Sequence, residues 1–202
     1  PYMTLGGLLG RFLGQLDTRG LTAVKLEFEG KAAGLNEQPI LASALAGVLG
    51  PQMDSVNMVN AAALAHNNDI AVSIVRHDRR CDYDSLLRLT LSHNGGERTV
   101  CGTLVGGDKA RLVEVQGISV ESAFPENMLY LRNYDKPGFI GALGTMMGDL
   151  GVNIATFHLG RKEAGGEAVA LVEIDGAVTH DTLQAIRDMT QVVRAEYLQF
   201  SA

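Results

Sequence analysis

The sequence predicts an α+β protein of two domains, and three patterns along its 202 residues support that prediction. Stretches with the helical spacing of apolar residues come first. Short strand-like segments joined by glycine-containing turns follow them. The last segment, of about 75 residues, has the order strand, helix, strand, strand, helix, strand, which forms a compact unit by itself. Helices followed by runs of strands are typical of α+β architecture.

The first helix is predicted between Leu5 and Leu16, because apolar residues recur there three and four positions apart. The apolar positions are Leu5, Leu8, Leu9, Phe12, Leu13 and Leu16, and the glycines among them are Gly6, Gly7, Gly10 and Gly14. Each glycine weakens the helix by about 1 kcal/mol relative to alanine, so the helix needs tertiary packing. Because glycine has no side chain, we expect another element to approach this helix closely. Further helices are predicted over residues 39–49 and 56–66.

Strands make up the rest of the first domain. The predicted strands cover residues 23–30, 70–75, 86–92, 99–105, 111–115 and 118–120. The first of them alternates apolar and charged side chains, as a half-buried strand does. Asn94-Gly95-Gly96 is a strong hairpin signal, because these residues readily take positive φ, and a second turn is predicted at Gln116-Gly117. We therefore expect an α/β first domain with an antiparallel sheet.

The second domain is predicted to follow a boundary at residue 125, so that the domains cover residues 1–125 and 126–202. Its elements are a strand over 128–134, a helix over 137–150, strands over 153–160 and 167–175, a helix over 179–189 and a strand over 192–199. In the first helix an apolar stripe includes Phe139, Leu143, Met146, Met147 and Leu150. The order βαββαβ predicts a ferredoxin-like fold.

Composition disfavours several classes of protein. The net charge is −6, from 17 basic and 23 acidic residues that are interspersed, whereas a nucleic-acid binder usually has a basic face. No apolar run is long enough to predict a membrane span, and no basic stretch followed by an apolar run predicts a secretory leader. Cys81 and Cys101 belong to no Cys-x-x-Cys pair, so we expect free thiols in a reducing cytoplasm. The beginning Pro1-Tyr2-Met3 suggests a fragment of a longer protein.

No catalytic constellation is evident. A dinucleotide-binding Gly-x-Gly-x-x-Gly motif should follow a strand, and the glycines near the beginning of the chain lie inside a helical pattern instead. Gly106-Gly107-Asp108-Lys109 lacks the spacing of a phosphate-binding loop. The five histidines are scattered, and His77 with Cys81 has no supporting pair of metal ligands. The chain is therefore predicted to hold no catalytic residue, no metal and no cofactor.

Two segments resemble known regulatory domains. Asn133 to Gly138, with its Asp-x-Pro-Gly sequence, followed by Gly151-Val152-Asn153-Ile154, closely resembles the signature of ACT domains, small amino-acid-sensing modules. Residues 102–117 with Val59-Asn60-Ala61 resemble the intervening domain of long-type D-3-phosphoglycerate dehydrogenase. Together the two resemblances cover nearly the whole chain. They imply the C-terminal regulatory half of that cytoplasmic enzyme, which oxidises 3-phosphoglycerate with NAD in the first committed step of serine synthesis. The NAD and the catalysis would belong to domains before Pro1.

The resemblance to ACT domains implies a serine site at Asn133, Asp135 and Asn153, at the interface of two modules. Asp135 is suited to a charge-assisted bond with an ammonium group, and the Asn153 amide offers both a donor and an acceptor. Backbone N–H groups at the start of the helix after Pro137 favour an anion. The alternative interpretation is that Asp135 only caps the helix and Asn153 only shapes a turn.

The resemblance to the intervening domain implies an anion site for phosphate or 3-phosphoglycerate at Lys109, Arg111 and Arg98. Two or three converging cations suit such a ligand. Lysine and arginine in turns can also simply be solvated, so that alternative stays open. Arg132, inside the strand of the ACT resemblance, either faces the same pocket or pairs with an acid.

The leading hypothesis is a regulatory module in which L-serine or another small amino acid binds between paired ACT domains. Because a ferredoxin-like sheet has an unpaired edge, we expect at least a homodimer, possibly a tetramer. Two other interpretations stay open. The same pair of domains resembles those of some L-serine dehydratase subunits. A purely structural module would hold an oligomer together and bind no ligand.

Overall fold

The computed structural model describes residues 1–16, 18–77 and 82–200, and the chain divides into two compact units, residues 1–116 and 117–202. Both units contain helices and strands, as the α+β prediction requires. The division by compactness falls at Gln116, and the domain boundary at residue 125 stays a prediction.

The elements of the first unit agree with the predicted ones within a few residues, with one exception. They are α1 (Tyr2–Gly14), β1 (Leu21–Gly30), a short 3-10 helix (Lys31–Gly34), α2 (Glu37–Leu49), α3 (Ala61–Asn67), β2 (Ala71–His77), β3 (Ser85–His93), β4 (Gly96–Val105) and β5 (Lys109–Val115). The exception is α3, which begins five residues later than predicted. The Asn60 side chain accepts a hydrogen bond from the Asn57 backbone N–H, and the Asn57 side chain accepts one from the Val59 backbone N–H, each at 2.8 Å. These side chains hold the backbone in a loop conformation, so the helix begins only after them.

The predicted close approach to α1 is confirmed, and α2 is the element that approaches it. A Cβ atom added at Gly10 would collide with the Ala44 carbonyl oxygen, and one at Gly14 with the Val48 carbonyl oxygen. A Cβ atom at Gly47 of α2 would meet the Gly7 carbonyl oxygen in the same way. The two helices therefore touch backbone to backbone along a row of glycines, which explains why helix-weakening residues are found there.

The strands of the first unit lie in the order β2-β1-β3-β4-β5. β1 pairs with β3, β3 with β4 and β4 with β5 in antiparallel fashion, but β2 runs parallel to β1. The sequence analysis did not predict this parallel pair. It forms because α2 and α3 lie between β1 and β2 in sequence and carry the chain back, so that β2 starts at the same end of the sheet as β1. The side chains on the α1 face, including Leu26, Leu87 and Leu89, are fully buried and form the core.

The predicted turns occur where glycine signals placed them. The β3–β4 hairpin turns at Asn94-Gly95, with His93 opposite Gly96, and the positive φ falls on Gly96 at 120°. Gln116 and Gly117 both have positive φ, at 53° and 72°, which is the pattern of a type I′ turn.

His93, at the end of β3, has an imidazole ring whose two nitrogens are buried and make no hydrogen bond to any of the residues that the structure describes. A buried polar group without a partner costs about 1–3 kcal/mol. We therefore expect His93→Leu, which removes both nitrogens at similar volume, to raise the free energy of unfolding by about 1 kcal/mol. Urea denaturation measures this change, and His93→Gln, which keeps a polar group there, should give no increase. A loss of stability in His93→Leu would contradict the conclusion that the two ring nitrogens are buried without hydrogen-bond partners.

The second unit contains the predicted ferredoxin-like arrangement, preceded by one short strand. Its elements are β6 (Ile118–Ser122), β7 (Asn127–Tyr134), α4 (Phe139–Asp149), β8 (Ile154–Arg161), β9 (Glu167–Ile174), α5 (His180–Arg187) and β10 (Val192–Gln199). The last four-stranded sheet has the order β10-β7-β9-β8, and every neighbouring pair is antiparallel. Because β7 and β8 are both antiparallel to β9, they run parallel to each other.

Helix α4 buries a narrow stripe and leaves the rest of its surface open. Phe139, Leu143 and Met147 are buried against the sheet, while Leu150, which was predicted in this stripe, is 46% exposed. The prediction for Leu150 was wrong because the helix ends at Asp149, so the following residue leaves the helical face. Gly141, Gly144 and Gly148 lie on the open side, where an added Cβ would meet nothing within 4 Å.

Candidate functional site

A cavity of about 320 Å³ lies where β7 ends and α4 begins. Its lining comprises Asn133, Asp135, Lys136, Pro137, Gly138, Phe139, Ile140, Gly141, Leu159 and Arg161. The Asp-Lys-Pro-Gly turn forms one wall, and the end of β8 forms the opposite wall. Two of the three residues predicted to bind serine, Asn133 and Asp135, are therefore brought together here.

Asp135 is held by two donors from neighbouring segments. Arg161 Nη1 donates to Asp135 Oδ2 at 2.5 Å, and the Gly165 backbone N–H donates to the same oxygen at 3.1 Å. The Arg161 guanidinium, and after it the Gly165 N–H, hold the pKa of Asp135 below its ordinary value. Sequence reasoning missed Arg161. The signal was present, because the carboxyl ends of parallel strands joined by a helix lie at the same edge of a sheet.

The Asp135–Arg161 pair predicts a specific pH dependence. NMR titration of the Asp135 carboxyl carbon should give a pKa below the ordinary value of about 4, and Arg161→Gln should raise it. Because the folded-state pKa is lowered, the stability contributed by the pair is present above about pH 4 and is lost as the pH falls through that lowered pKa. An ordinary pKa in the wild-type chain would contradict the ion pair.

Asn133 contributes a buried acceptor that no group in the described part of the chain satisfies. Its side chain is 1% exposed, and Nδ2 donates to the Tyr134 carbonyl oxygen at 3.1 Å, which fixes the amide orientation. Oδ1 is then buried without a hydrogen-bond partner. Because such an acceptor is costly to leave unpaired, the site is suited to a ligand that brings an N–H or O–H donor.

The start of α4 contributes backbone donors to the same cavity. The helix begins after Gly138, which has φ of 90° and provides no side-chain cap. The alternative in which Asp135 caps this helix is therefore wrong, since its carboxylate binds Arg161 and Gly165 instead. Uncapped N–H groups at a helix start favour an anion, and the Arg161 side chain, 55% exposed, lies beside them.

Asn153 lies at the other end of β8 and does not line the cavity. Its Nδ2 donates to Asp175 Oδ2 at 2.6 Å, and its carbonyl oxygen accepts from the Asp175 N–H. From Asn153 to Arg161 the strand covers about 26 Å, because each residue advances about 3.3 Å. Within one chain the three predicted serine-binding residues are therefore not brought together.

The residues predicted to bind an anion are only partly brought together. Lys109 and Arg111 lie two residues apart on β5, hence on the same face of the strand, and among the described residues neither forms an ion pair. Arg98 lies near the other end of β4, whose last residue, Val105, is opposite Lys109. The distance along that strand is about 23 Å, so Arg98 does not converge with the other two cations. Arg132 pairs with Glu167 at 2.5 Å.

The described part of the chain contains no cluster of three or more His, Cys, Asp or Glu side chains able to hold a metal ion. Cys101 is a buried free thiol whose pKa is raised by burial and by the neighbouring Glu114 carboxylate. Cys81, named with it in the sequence, lies outside the described residues. Among the helices that are described, each is too short or too polar to cross a bilayer.

Comparison with known proteins gives matches along both units. Residues 1–116 match the model of the D-3-phosphoglycerate dehydrogenase intervening domain, and residues 127–190 match the model of the ACT domain. Three similar relatives are each named D-3-phosphoglycerate dehydrogenase. The one from Bacillus subtilis is 28% identical over 98% of this chain, the one from Methanocaldococcus jannaschii 30% over 95%, and the one from Synechocystis 30% over 92%. The chain spans only 38%, 36% and 34% of their respective lengths.

Proposed function

The chain belongs to the D-3-phosphoglycerate dehydrogenase family through its intervening and ACT domains, and from this we propose that it is the regulatory part of such an enzyme. Its ACT domain senses a small amino acid, with L-serine as the first candidate. The NAD-dependent oxidation of 3-phosphoglycerate would take place in other domains of the longer protein, in the cytoplasm. The reported relatives carry the dehydrogenase name, which favours this proposal over a serine dehydratase subunit.

The observation that carries the proposal is the unsatisfied Oδ1 of Asn133 in a cavity that also contains Asp135 and Arg161. An α-amino acid has an ammonium and a carboxylate on one carbon, and the cavity offers a complement to each. Asn133 Oδ1 and the Asp135 carboxylate accept from the ammonium. Arg161 and the open N–H groups of α4 donate to the carboxylate.

A second copy of the chain would complete this site. β8 is an edge of the four-stranded sheet, and two such edges can pair in antiparallel fashion about a two-fold axis. Antiparallel pairing sets the start of one β8 beside the end of the other. Asn153 of the second copy would thus lie near Arg161, and its amide would join Asn133 and Asp135 around the ligand. This arrangement reconciles the predicted trio with its separation in one chain.

The open face of α4 is suited to receive the second copy. A groove of about 510 Å³ runs between α4 and α5, lined mainly by apolar and small side chains such as Ala142, Met146 and Leu150. Outside this groove, an added Cβ at Gly144 would meet nothing within 4 Å, and Ile140, four residues earlier on the same side of α4, is 54% exposed. A helix with small residues allows a second helix to come close, so the dimer proposed here would bury this face.

Calorimetry with L-serine tests the proposal on the 202-residue chain. The wild type should bind serine as a dimer. Gly144→Arg should lose both dimerisation and binding, because an arginine there would occupy the space of the second copy while favouring the helix. The matched control is Gln38→Arg, which adds the same charge at an exposed position of α2 and should change neither property. Serine binding by a monomeric Gly144→Arg chain would contradict a shared site, and a wild-type dimer without serine binding would favour the structural module.

The first unit is proposed to bind a phosphate-like anion at Lys109 and Arg111, without Arg98. Two adjacent cations on one strand face support this proposal, and the coupling to serine would be reciprocal, since a linked effect acts equally in both directions. Titration with 3-phosphoglycerate should show binding that is weakened in Lys109→Ala and unchanged in Arg98→Ala. If the wild-type, Lys109→Ala and Arg98→Ala chains bind 3-phosphoglycerate equally, the proposed anion site is wrong.

A further inference from the structure

The side chains proposed to hold the amino acid differ in how deeply they are buried. Asn133 is 1% exposed, whereas the side chain of Asp135 is 19% exposed and that of Arg161 is 55% exposed. All three line the cavity at the start of α4. The cavity therefore has a buried end, at Asn133, and an open end, at Arg161. The ligand group that meets Asn133 is the one most completely removed from water.

The two ends also differ in what they lack before a ligand binds. Arg161 Nη1 donates to Asp135 Oδ2 at 2.5 Å, so the guanidinium already has a partner of opposite charge. Asn133 Oδ1 accepts from no group in the described part of the chain, and the bond from its Nδ2 to the Tyr134 carbonyl oxygen fixes the orientation of the amide. A buried acceptor without a donor is costly, whereas a paired surface charge gains little from a second partner. Ligand affinity should therefore come mainly from a donor at the buried end.

Asp135 offers a second acceptor to the same ligand group. Its two donors, Arg161 and the Gly165 N–H, both bind Oδ2, and among the described residues none binds Oδ1. The hydrogen bond from Arg161 lowers the pKa of Asp135, so the carboxylate is charged at neutral pH. A carboxylate can accept several hydrogen bonds, so Oδ1 can receive a ligand while Arg161 stays in place. An ammonium group has three donors and is suited to both Asp135 and Asn133.

We propose that the site selects its ligand by a primary ammonium group and does not require a free carboxylate. This inference rests on the proposed amino-acid site and defines its ligand class as primary α-amines, which comprises amino-acid amides as well as free amino acids. The ammonium lies at the buried end, where it donates to Asn133 Oδ1 and Asp135 Oδ1. The carboxyl carbon then lies toward the open end, beside Arg161 and the first backbone N–H groups of α4.

The open end tolerates the loss of the carboxylate charge. The carbonyl oxygen of an amide is also an acceptor, so it can receive the backbone N–H groups that follow Gly138. Arg161 then keeps Asp135 as its partner, and no charged group is left unpaired. Lys136, the other cation that lines the cavity, is exposed and lies 5.7 Å from the centre of the Tyr134 ring. Because ion pairs of exposed groups contribute little, the affinity should fall by about fivefold at most.

The buried end does not tolerate the loss of the ammonium. An N-acetylated amino acid has a single N–H donor and no positive charge, so it cannot satisfy both Asn133 and Asp135. The unsatisfied acceptor would then stay buried beneath the ligand, where water cannot replace the missing donor. A site built to hydrogen-bond a ligand group strongly rejects the analogue that lacks it. We therefore expect acetylation to weaken binding by about 100-fold or more.

Calorimetry on the wild-type 202-residue chain tests this selectivity with three ligands that share the serine side chain. L-serine has both charged groups, L-serinamide lacks the carboxylate charge, and N-acetyl-L-serine lacks the ammonium. Serinamide should bind within about fivefold of serine, and N-acetylserine about 100-fold more weakly. If serinamide is weakened as much as N-acetylserine, or if N-acetylserine binds as serine does, the inference is overturned while the amino-acid site stands. A chain that binds none of the three contradicts the proposed function, and this inference with it.

Two variants test which residues carry the selectivity. Asn133→Leu removes the buried acceptor and should weaken serine binding by about 10- to 100-fold. Arg161→Gln, the control at the open end, should stay within about fivefold of the wild type, because the Gly165 N–H still holds Asp135. Circular dichroism checks that both variants are folded, and the comparison of ligands on the wild-type chain does not depend on either. A larger loss in Arg161→Gln than in Asn133→Leu would overturn the inference.

Discussion

Gly10→Ala will lower the free energy of unfolding of the first unit by about 3 kcal/mol, although alanine by itself favours a helix by about 1 kcal/mol. The reason is the contact between α1 and α2, in which a Cβ at Gly10 would overlap the Ala44 carbonyl oxygen. Backbone atoms cannot rotate away as a side chain can, so the helices must separate or shift. Their separation would expose neighbouring core residues such as Leu9 and Leu13.

The matched control for Gly10→Ala is Gly144→Ala in α4. Both glycines lie inside helices, but the Gly144 position is open, so the same substitution should raise stability by about 0.5–1 kcal/mol. Chemical denaturation followed by circular dichroism measures the change in the free energy of unfolding for both variants under the same conditions. If Gly10→Ala gains stability as Gly144→Ala does, α1 and α2 do not touch through their backbones.

The second large effect is expected from mixing two variant chains, each of which should bind the amino acid only weakly by itself. Asp135→Ala and Asn153→Ala should each weaken L-serine binding by about 10- to 100-fold, because each removes a hydrogen bond to a charged ligand group. In a site shared between copies, a mixed dimer has one site with both substitutions and one site with neither. Random mixing should therefore restore about one quarter of the sites to wild-type affinity.

Calorimetry of the mixture reads this recovery directly as a stoichiometry. Asp175→Asn provides the control for a local effect, because it alters the partner of Asn153 while leaving the Asn153 amide in place. That variant should bind serine nearly as the wild type does. A mixture that recovers no site would show that Asp135 and Asn153 do not act across the interface.

The secondary structure of the second unit could be predicted nearly completely, because local signals determine it. Pro137 and Gly151 limit α4, the alternation of side chains marks the strands, and the order βαββαβ permits few topologies. The glycines of α1 likewise predicted a close approach by another element, which the structure identifies as α2. In each case the information lies within a short window of sequence, where periodicity and turn chemistry act.

Other features depend on residues that are distant in sequence, and the predictions were incomplete there. The parallel pairing of β2 with β1 requires the path of α2 and α3. The distance of Arg98 from Lys109 follows from the register of β4 with β5. The helix predicted from Val56 was shortened by side chains that compete for the backbone N–H groups.

The candidate site shows which features follow from the sequence and which depend on the tertiary structure. The sequence alone determined that Asp135-Lys136-Pro137-Gly138 ends a strand and starts a helix, and that Asn133 and Asp135 lie at that junction. Only the tertiary structure decided that Arg161 binds Asp135, that Asn133 Oδ1 is buried without a partner, and that Asn153 lies at the far end of β8. The physical reason is that a motif specifies local backbone geometry, whereas burial and pairing depend on which strands become neighbours in the sheet.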